Sequence, residues 1–504
     1  MITIVYSTHK DSNYNGKFQK HLKDTVGLKD VQIIEYVNHN QYALAQVYNS
    51  GITESIYDIV VCCHNDIKLE KNWGKKLLED FSKNPEFGII GKAGSCYFPE
   101  SGVYWEKMSQ TMVGQVYHHP EGEKKWYSRY SIKLPSLIPV VTIDGLFISF
   151  DKTKIKHKFD ETIGRFHFYD HLFCIPNYLD DVKIGVTSSF EITHESVGEP
   201  NKEFWDSRIL FVKKWGDRLP LDIKPSSVYY PEIKRKEYKK FKKVAIIIPT
   251  KGKVDMLFEC INSFQQNCDK DKFTIFIADT GSSIEDIESI KRKSLSMGNV
   301  RLIQYDYYNF AKINNDVVKN HVGNEYEFIL FSNNDIKILN DVITGMLGVF
   351  EKNKNAGTVG ARLHFENNTI QHNGVFMVRN SKKNNSIEVG HVNLYNYYNY
   401  TSGVKETFGN TGGLLMIRKN LFESLDYFNE NYISCFEDVE LNIMCLTRGL
   451  KNYHNSDCVA YHYESQTRNE DPENLKKLQH DYIENLIPCV THNVDKLKKY
   501  INVV

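Results

Sequence analysis

The sequence has no long apolar run, no excess of either charge and no paired cysteine motif. Nothing in it approaches the roughly 20 consecutive apolar residues that a membrane-spanning helix needs. Lysine plus arginine and aspartate plus glutamate each total 63, so no basic field invites a nucleic acid, and none is expected as a partner. The 10 cysteines contain no Cys-x-x-Cys and no zinc-finger spacing, and most sit inside apolar runs. They read as reduced, buried thiols of an intracellular protein. Met1-Ile2-Thr3-Ile4-Val5-Tyr6 opens directly as a strand, so no signal peptide is read and a cytoplasmic location is expected.

What is there is a layout spelled twice. With 504 residues the chain exceeds what one core organises, which makes two domains the expectation. Hydrophobic content of 41% with 25% charge is that of an ordinary globular protein. Aromatic content of 13% suits stacking on sugars or bases, and serves an aromatic core as readily. An apolar run ends in Cys62-Cys63-His64-Asn65-Asp66 and again in Phe331-Ser332-Asn333-Asn334-Asp335. Phe168-Tyr169-Asp170 answers to Phe436-Glu437-Asp438, and Thr193-His194-Glu195-Ser196 to His462-Tyr463-Glu464-Ser465. From 66 to 170 is 104 positions and from 335 to 438 is 103, while 170 to 194 and 438 to 462 are both 24. Gly91 with Gly360, and Gly145-Leu146 with Gly413-Leu414, keep the same register. A carboxylate, carboxylate, imidazole set repeated at fixed spacing argues for two copies of one domain.

Each half opens on an apolar strand, Ile2 to Tyr6 or Val244 to Ile248, with a second at Val31 to Val37 or Phe273 to Ala278. A helix follows, Ala43 to Asn49 or Phe310 to Asn315, and a third strand, Ile59 to Cys63 or Phe328 to Phe331, delivers the acidic turn. Strands alternating with helices predict parallel βαβ units in an open α/β sheet, with ligands at the carboxyl ends of the strands. The expected division is a first domain over 1–225, a basic linker over 226–243 and a second domain over 244–504. The stretch Ile233 to Lys243 reads as a solvated linker, with a patch for anionic lipid head groups as the sharper alternative. Asp471 as cap and Pro472 at the first turn predict a C-terminal packing helix with Leu475, Leu478, Tyr482, Ile483 and Leu486 on one stripe. Trp205, Ile209, Val212 and Trp215 predict a similar stripe closing the first half.

An Asp just after a buried strand can hold a divalent cation whose other ligands are phosphate oxygens, although Asn-Asn-Asp alone is as readily a turn. Recurrence with a downstream His makes Asp335 with His462, and Asp66 with His194, the candidate metal ligands. An oxygen-plus-nitrogen pair suits Mn2+ somewhat better than Mg2+, and it requires each Asp and His to converge in space. Asp438 opens the amphipathic stretch Val439 to Leu446, where it either complements the helix dipole or accepts a proton from an attacking hydroxyl. Asp170 is its equivalent, and Pro176 is expected to disturb the helix behind it. Asp279-Thr280-Gly281-Ser282 reads as a nucleotide contact or a plain turn, and Lys251 and Lys312 as diphosphate partners or solvated lysines. Tyr395, Tyr397, Tyr398 and Tyr400, with Trp105 and Trp126 in the first half, read equally as acceptor-sugar platforms or packing.

Residues 244 to about 470 resemble a glycosyltransferase family 2 domain of the rhamnosyltransferase-like kind. The resemblance is carried by Ile246-Ile247-Ile248-Pro249-Thr250-Lys251, Asp279-Thr280-Gly281-Ser282, Asn309-Phe310-Ala311-Lys312-Ile313-Asn314-Asn315 and Asn333-Asn334-Asp335. It continues through Thr369-Ile370-Gln371-His372-Asn373-Gly374-Val375, Phe436-Glu437-Asp438-Val439-Glu440-Leu441 and His462-Tyr463-Glu464-Ser465. Residues 1 to about 222 resemble the streptomycin-biosynthesis-type glycosyltransferase-like domains. There the carriers are His64-Asn65-Asp66, Gly91-Lys92-Ala93-Gly94-Ser95, Val141-Thr142-Ile143-Asp144-Gly145, Phe166-His167-Phe168-Tyr169-Asp170 and His194-Glu195-Ser196.

The resemblance implies an α/β fold of two tandem GT-A (Rossmann-like) domains and inverting sugar transfer with Mn2+ or Mg2+. The implied donor is a UDP-, dTDP- or GDP-linked sugar, and the implied acceptor a glycan or lipid-linked glycan. Asp335 and Asp66 keep the last carboxylate of the family's Asp-x-Asp element, while Asn333 and His64 replace the first. The family's base maps to Asp438 and, through the repeat, to Asp170; its late metal-ligating His maps to His462 and His194. Pro249, Thr250, Lys251, Asp279, Lys312, Asn333 and Asn334, with Ser7, Thr8 and Asn65 in the first half, form the implied donor-binding set. The reading is a bifunctional glycosyltransferase that builds a surface-type glycan, held peripherally at the inner face of a membrane if the basic linker contacts lipid. The alternative is one active second half beside a degenerate, acceptor-binding first half. A sugar nucleotidyltransferase would be expected to carry a glycine-rich, arginine-containing loop, which neither Ser7-Thr8-His9-Lys10 nor Thr250-Lys251-Gly252-Lys253 provides. A purely sugar-binding protein would have no need of two base-and-metal sets.

Overall fold

The computed structural model describes residues 1–9, 12–198, 200–234, 243–380, 386–463 and 472–503. Lys10, most of the basic stretch, Glu464, Ser465 and Asp471 lie outside the described residues. The chain divides into two compact units, Met1–Pro225 with Asn396–Asn399, and Ser226–Tyr395 with Tyr400–Val504.

The first unit is built on a seven-stranded sheet. Its order is Ile138–Val140, Lys183–Val186, Phe87–Gly91, Phe147–Asp151, Ile59–Cys63, Ile2–Thr8, Val31–Val37. Ile2–Thr8 runs parallel to both neighbours, as alternating strands and helices dictate. Phe147–Asp151 runs antiparallel between Ile59–Cys63 and Phe87–Gly91, so the sheet is mixed rather than parallel. Its apolar residues are fully buried, and a central strand covered on both faces looks the same in sequence whichever way it points. A second sheet carries Ile67–Leu69 beside Ile192–His194.

The second unit repeats this plan in one ten-stranded sheet. Lys243–Thr250 lies parallel between Phe273–Asp279 and Tyr326–Ser332, and Leu414–Arg418 is the central antiparallel strand. The strands Val244–Ile248 and Phe328–Phe331 are fully buried, which their β-branched and aromatic composition favours. Lys451–His462 pairs with Ile336–Ile338 at the far edge.

Three helices depart from the sequence expectation. Tyr169–Leu179 continues through Pro176. The run His171–Asn177 is buried all round, and that packing offsets the roughly 3 kcal/mol a mid-helix proline costs. In Lys202–Trp215 the inward face is Phe204, Ser207 and Phe211, while Trp205 and Ile209 are exposed. Both faces of that helix are apolar, and the one that meets the aromatic rings of Phe98 and Phe168 is buried. The C-terminal helix Pro472–His480 passes through a π-helical turn at Asp481–Leu486. Leu475 and Leu478 before that turn and Ile483 within it are exposed, while Asp481 and Leu486 are buried and Tyr482 packs against the same cluster as Leu486. No helix among the described residues is long and apolar enough to cross a membrane, and all ten cysteines are free.

Candidate active site

The acidic turn and the late histidine meet through strand pairing, and they do so identically in both units. Ile336 is the register partner of His462, and Ile67 is the register partner of His194. The amide of Tyr463 donates to Asp335 O at 3.1 Å, and that of Glu195 to Asp66 O at 2.8 Å. This register brings the backbone of each late histidine alongside the turn that ends in the carboxylate, and from that turn, just outside the strand, the carboxylate reaches the imidazole.

In the second unit His462 Nε2 lies 3.2 Å from Asp335 Oδ1 and 3.1 Å from Asn333 Nδ2. His462 Nδ1 faces Gln371 Oε1 at 2.6 Å. An amide oxygen can only accept, so Nδ1 carries the proton and the Nε2 lone pair points at the carboxylate. Asp335 Oδ1 is buried and accepts no hydrogen bond. A buried carboxylate oxygen facing an imidazole lone pair is an arrangement that a cation completes.

In the first unit His194 Nε2 lies 3.4 Å and His64 Nδ1 3.8 Å from Asp66 Oδ1. That oxygen, like its counterpart, is buried without a hydrogen bond. Burial opposes charge on Asp66, but the imidazoles of His194 and His64 outweigh it and hold the carboxyl well below its usual range. Burial likewise opposes charge on His194, whose pKa is nevertheless raised by Asp66, while His64 is pushed down by burial. The donor sets of both units thus fit a divalent ion, Asp335 with His462 and Asp66 with His194.

The second carboxylate stands at the start of a helix in each unit, Glu437–Thr447 and Tyr169–Leu179. Both helices are entered through a left-handed phenylalanine, Phe436 at φ 75° and Phe168 at φ 66°. For a bulky residue that conformation costs about 1–2 kcal/mol, and such strain collects at functional sites. The amide of Gly412 donates to Asp438 Oδ2 at 2.6 Å, and that of Gly145 to Asp170 Oδ2 at 3.0 Å. Gly413, next to Gly412, lies against His462 and Asn333, so the two glycines tie Asp438 to the Asp335–His462 pair. In the first unit Tyr169 OH meets His64 Nε2 at 2.8 Å, which ties the residue beside Asp170 to the Asp66–His194 pair.

All of the predicted donor set except Lys312, which lies in the helix Phe310–His321, stands at or just after the carboxyl end of a strand. Asn334 Nδ2 donates to Thr250 Oγ1 at 2.9 Å, and Asn65 Nδ2 to Thr8 Oγ1 at 3.2 Å, another contact made twice. Ser7 and Pro249 sit half-buried just before these threonines. Asp279 is buried and holds its own turn, accepting from the amides of Gly281 and Ser282, each at 3.3 Å. Lys251 and Lys312 are exposed, Lys312 Nζ lying 4.5 Å from the Tyr307 ring centre.

Sequence reasoning did not find Gln371, which orients His462, nor the pairing of Tyr169 with His64; the only signal was their place inside quoted motifs. It also missed Tyr104, whose hydroxyl donates to Asp144 Oδ2 at 2.7 Å. Both line a cavity of about 140 Å3 with Trp105, His64 and Asp170. Of the remaining aromatics, Trp126 stacks on His118, Tyr395 is exposed against Phe365, and Tyr400 is buried beneath Arg362.

Comparison with known proteins gives two family matches: residues 4–202 match a family described as "Glycosyltransferase like family", and residues 245–426 match "Glycosyl transferase family 2". The chain is similar to the O-antigen biosynthesis protein RfbC of Myxococcus xanthus, 25% identical over 230 residues. That match covers 45% of this chain and 18% of the relative. It is also similar to the uncharacterized protein y4gI of Sinorhizobium fredii, 25% identical over 234 residues, 45% of this chain and 25% of that protein. The chain therefore spans a quarter or less of the length of these relatives. Among solved structures, GalNAc-T7 with UDP, GalNAc and Mn2+ aligns at TM-score 0.39 and 12% identity, covering 48% of each chain. TarS (residues 1–349) of S. aureus aligns at TM-score 0.32 and 17% identity, covering 44% of this chain and 60% of that one.

Proposed function

This chain carries two glycosyltransferase-family domains in tandem, the second of family 2, and from that premise we propose a bifunctional inverting transferase. It moves sugars from nucleotide-diphospho-sugar donors onto the hydroxyls of a growing surface-type polysaccharide. The relative named for O-antigen biosynthesis supports that class of product. One observation carries the reading: in both units a carboxylate and an imidazole are paired through the same strand register, and a nearby glycine amide holds a helix-start carboxylate.

Asp438 takes the proton from an acceptor hydroxyl as its oxygen bonds to the anomeric carbon and the bond from that carbon to the diphosphate breaks on the opposite face. The Gly412 amide fixes one oxygen of that carboxylate. Thr250, held by Asn334, and the turn organised by Asp279 form the wall for the nucleoside. A divalent ion held by Asp335 and His462, and in the first unit by Asp66 and His194, would neutralise the charge on the departing diphosphate. The donor nucleotide is a UDP, dTDP or GDP, and the work is done at the cytoplasmic face of a membrane, with the basic stretch before Lys243 as the peripheral contact.

A second reading is favoured by one detail. Both oxygens of Asp170 are engaged by backbone amides, Oδ2 by Gly145 at 3.0 Å and Oδ1 by His171 at 2.9 Å. That suits a first unit that binds acceptor and transfers nothing. A donor-panel assay with Mn2+ separates the two. Asp438→Asn is expected to remove one transfer product while the protein stays folded; full activity in that variant overturns Asp438 as base. Asp170→Asn is expected to remove the other product, and no change with any donor selects the second reading.

A further inference from the structure

We infer that the first half holds its ion with three protein ligands, His64 Nδ1, Asp66 Oδ1 and His194 Nε2, and so takes a nitrogen-preferring divalent ion such as Zn2+ or Co2+ without any donor present. The second half, with Asp335 and His462 alone, needs the donor diphosphate to complete its shell. This rests on the transferase reading for the identity of the two sites and adds the chemistry that makes them unequal.

Three observations carry it. First, among the described residues His64, Asp66 and His194 are the only group of three histidine, cysteine or acidic residues with ligand atoms within 4.8 Å of one another. Ligands sharing one ion at 2.0–2.2 Å lie roughly 3–3.5 Å apart, and the separations here are 3.4 Å and 3.8 Å from Asp66 Oδ1. Small side-chain movements close the set. Second, Asp66 Oδ1 is buried without a hydrogen bond in the middle of the three.

Third, His64 is held for the task. Its Nε2 lies 2.8 Å from Tyr169 OH, and a ring proton on Nε2 donated to that oxygen is the outer hydrogen bond that leaves Nδ1 bare to ligate. Gly145 makes this reach possible, since a Cβ there would stand 2.0 Å from the Tyr169 hydroxyl. The second half has Asn333 where the first has His64, and Asn333 turns its Nδ2 toward His462. Two imidazoles and one carboxylate with open positions favour Zn2+, Co2+ or Fe2+ over Mg2+, which prefers an all-oxygen shell.

The test uses the full-length protein, stripped with chelator and titrated with Co2+ in the absence of any nucleotide. Visible absorption follows the ion, and calorimetry with Zn2+ and Mg2+ counts sites. The wild type is expected to bind one tight equivalent of Co2+ that Zn2+ displaces and Mg2+ does not. His64→Asn should weaken that equivalent by more than the roughly 10–100-fold that loss of an outer partner costs, and Tyr169→Phe by an amount within that range. Asn333→His should raise the tight equivalents from one to two. Absence of a tight equivalent in the wild type, or unchanged binding in folded His64→Asn, overturns the inference. Should His64→Asn fail to fold by circular dichroism, Asn333→His decides, an unchanged count counting against it. None of these readouts involves sugar transfer, so their failure is distinct from failure of the transferase reading.

Discussion

Gly145 and Gly413 occupy equivalent positions before the central antiparallel strands, yet they meet different surroundings. A Cβ on Gly145 would collide with the Tyr169 hydroxyl at 2.0 Å, whereas one on Gly413 would find its nearest neighbour, His462 Cε1, at 3.5 Å. Gly145→Ala is therefore expected to destabilise the protein by about 1–3 kcal/mol as the core yields to the extra methyl. Gly413→Ala should change stability by less than about 0.5 kcal/mol, while its methyl narrows the space beside Asn333 and His462 and lowers transfer by the second half. Chemical denaturation and the donor assay measure the two effects separately. At this scale the sequence was most legible where chemically marked types recur at even spacing: Asp66 with His194, and Asp335 with His462, converge as that spacing required. Gln371 and Tyr169 are ordinary types whose roles arise only from where the sheet and helix set them.

Among the elements, the helix that carries Asp438 owes its entry to a segment outside the family match. Asp481, fully buried in the C-terminal π-helical turn, accepts from the amides of Ile433 at 3.0 Å, Ser434 at 2.6 Å and Cys435 at 3.1 Å. Those residues lead directly into Phe436 and its left-handed turn. Asp481→Ala leaves three amides without their acceptor and should cost about 3 kcal/mol or more, read by thermal denaturation. Transfer assigned to the second half should fall with it, and Asp481→Asn, which keeps one acceptor oxygen, should recover part of both. The periodicity at 475–486 marked a helix and two of its packed residues, Tyr482 and Leu486, but Leu475, Leu478 and Ile483 of the same stripe are exposed. Of the stripe Trp205, Ile209, Val212, Trp215, the last two pack half-buried against the cluster of Phe98 and Phe168, while Trp205 and Ile209 are exposed because Phe204 and Phe211 take the buried face. Strands were easier, since a run such as Val244–Ile248 has nowhere to go but a sheet interior.

For the whole molecule, each unit has hydrophobic clusters of its own, centred on Val5, Ile148 and Phe173 in the first and on Ile246, Leu330 and Met416 in the second. Separate cores predict more than one unfolding transition in calorimetry, with Zn2+ raising only the one that belongs to the first unit; a single transition moved as a whole would contradict this. The doubling itself was visible in the sequence because spacing survives where identity does not. The antiparallel strand at the heart of each sheet was not, since burial erases the alternation that would reveal a strand's direction.

The pairing of Ile67 with His194 and of Ile336 with His462 has one more consequence. A slip of one residue along either ladder would turn the imidazole to the opposite face. A unit paired in the wrong register is thus expected to lose its Asp–His pair outright rather than to hold it more weakly. By the same logic an insertion between Asp66 and Ile67, or between Asp335 and Ile336, is expected to part the carboxylate from its imidazole.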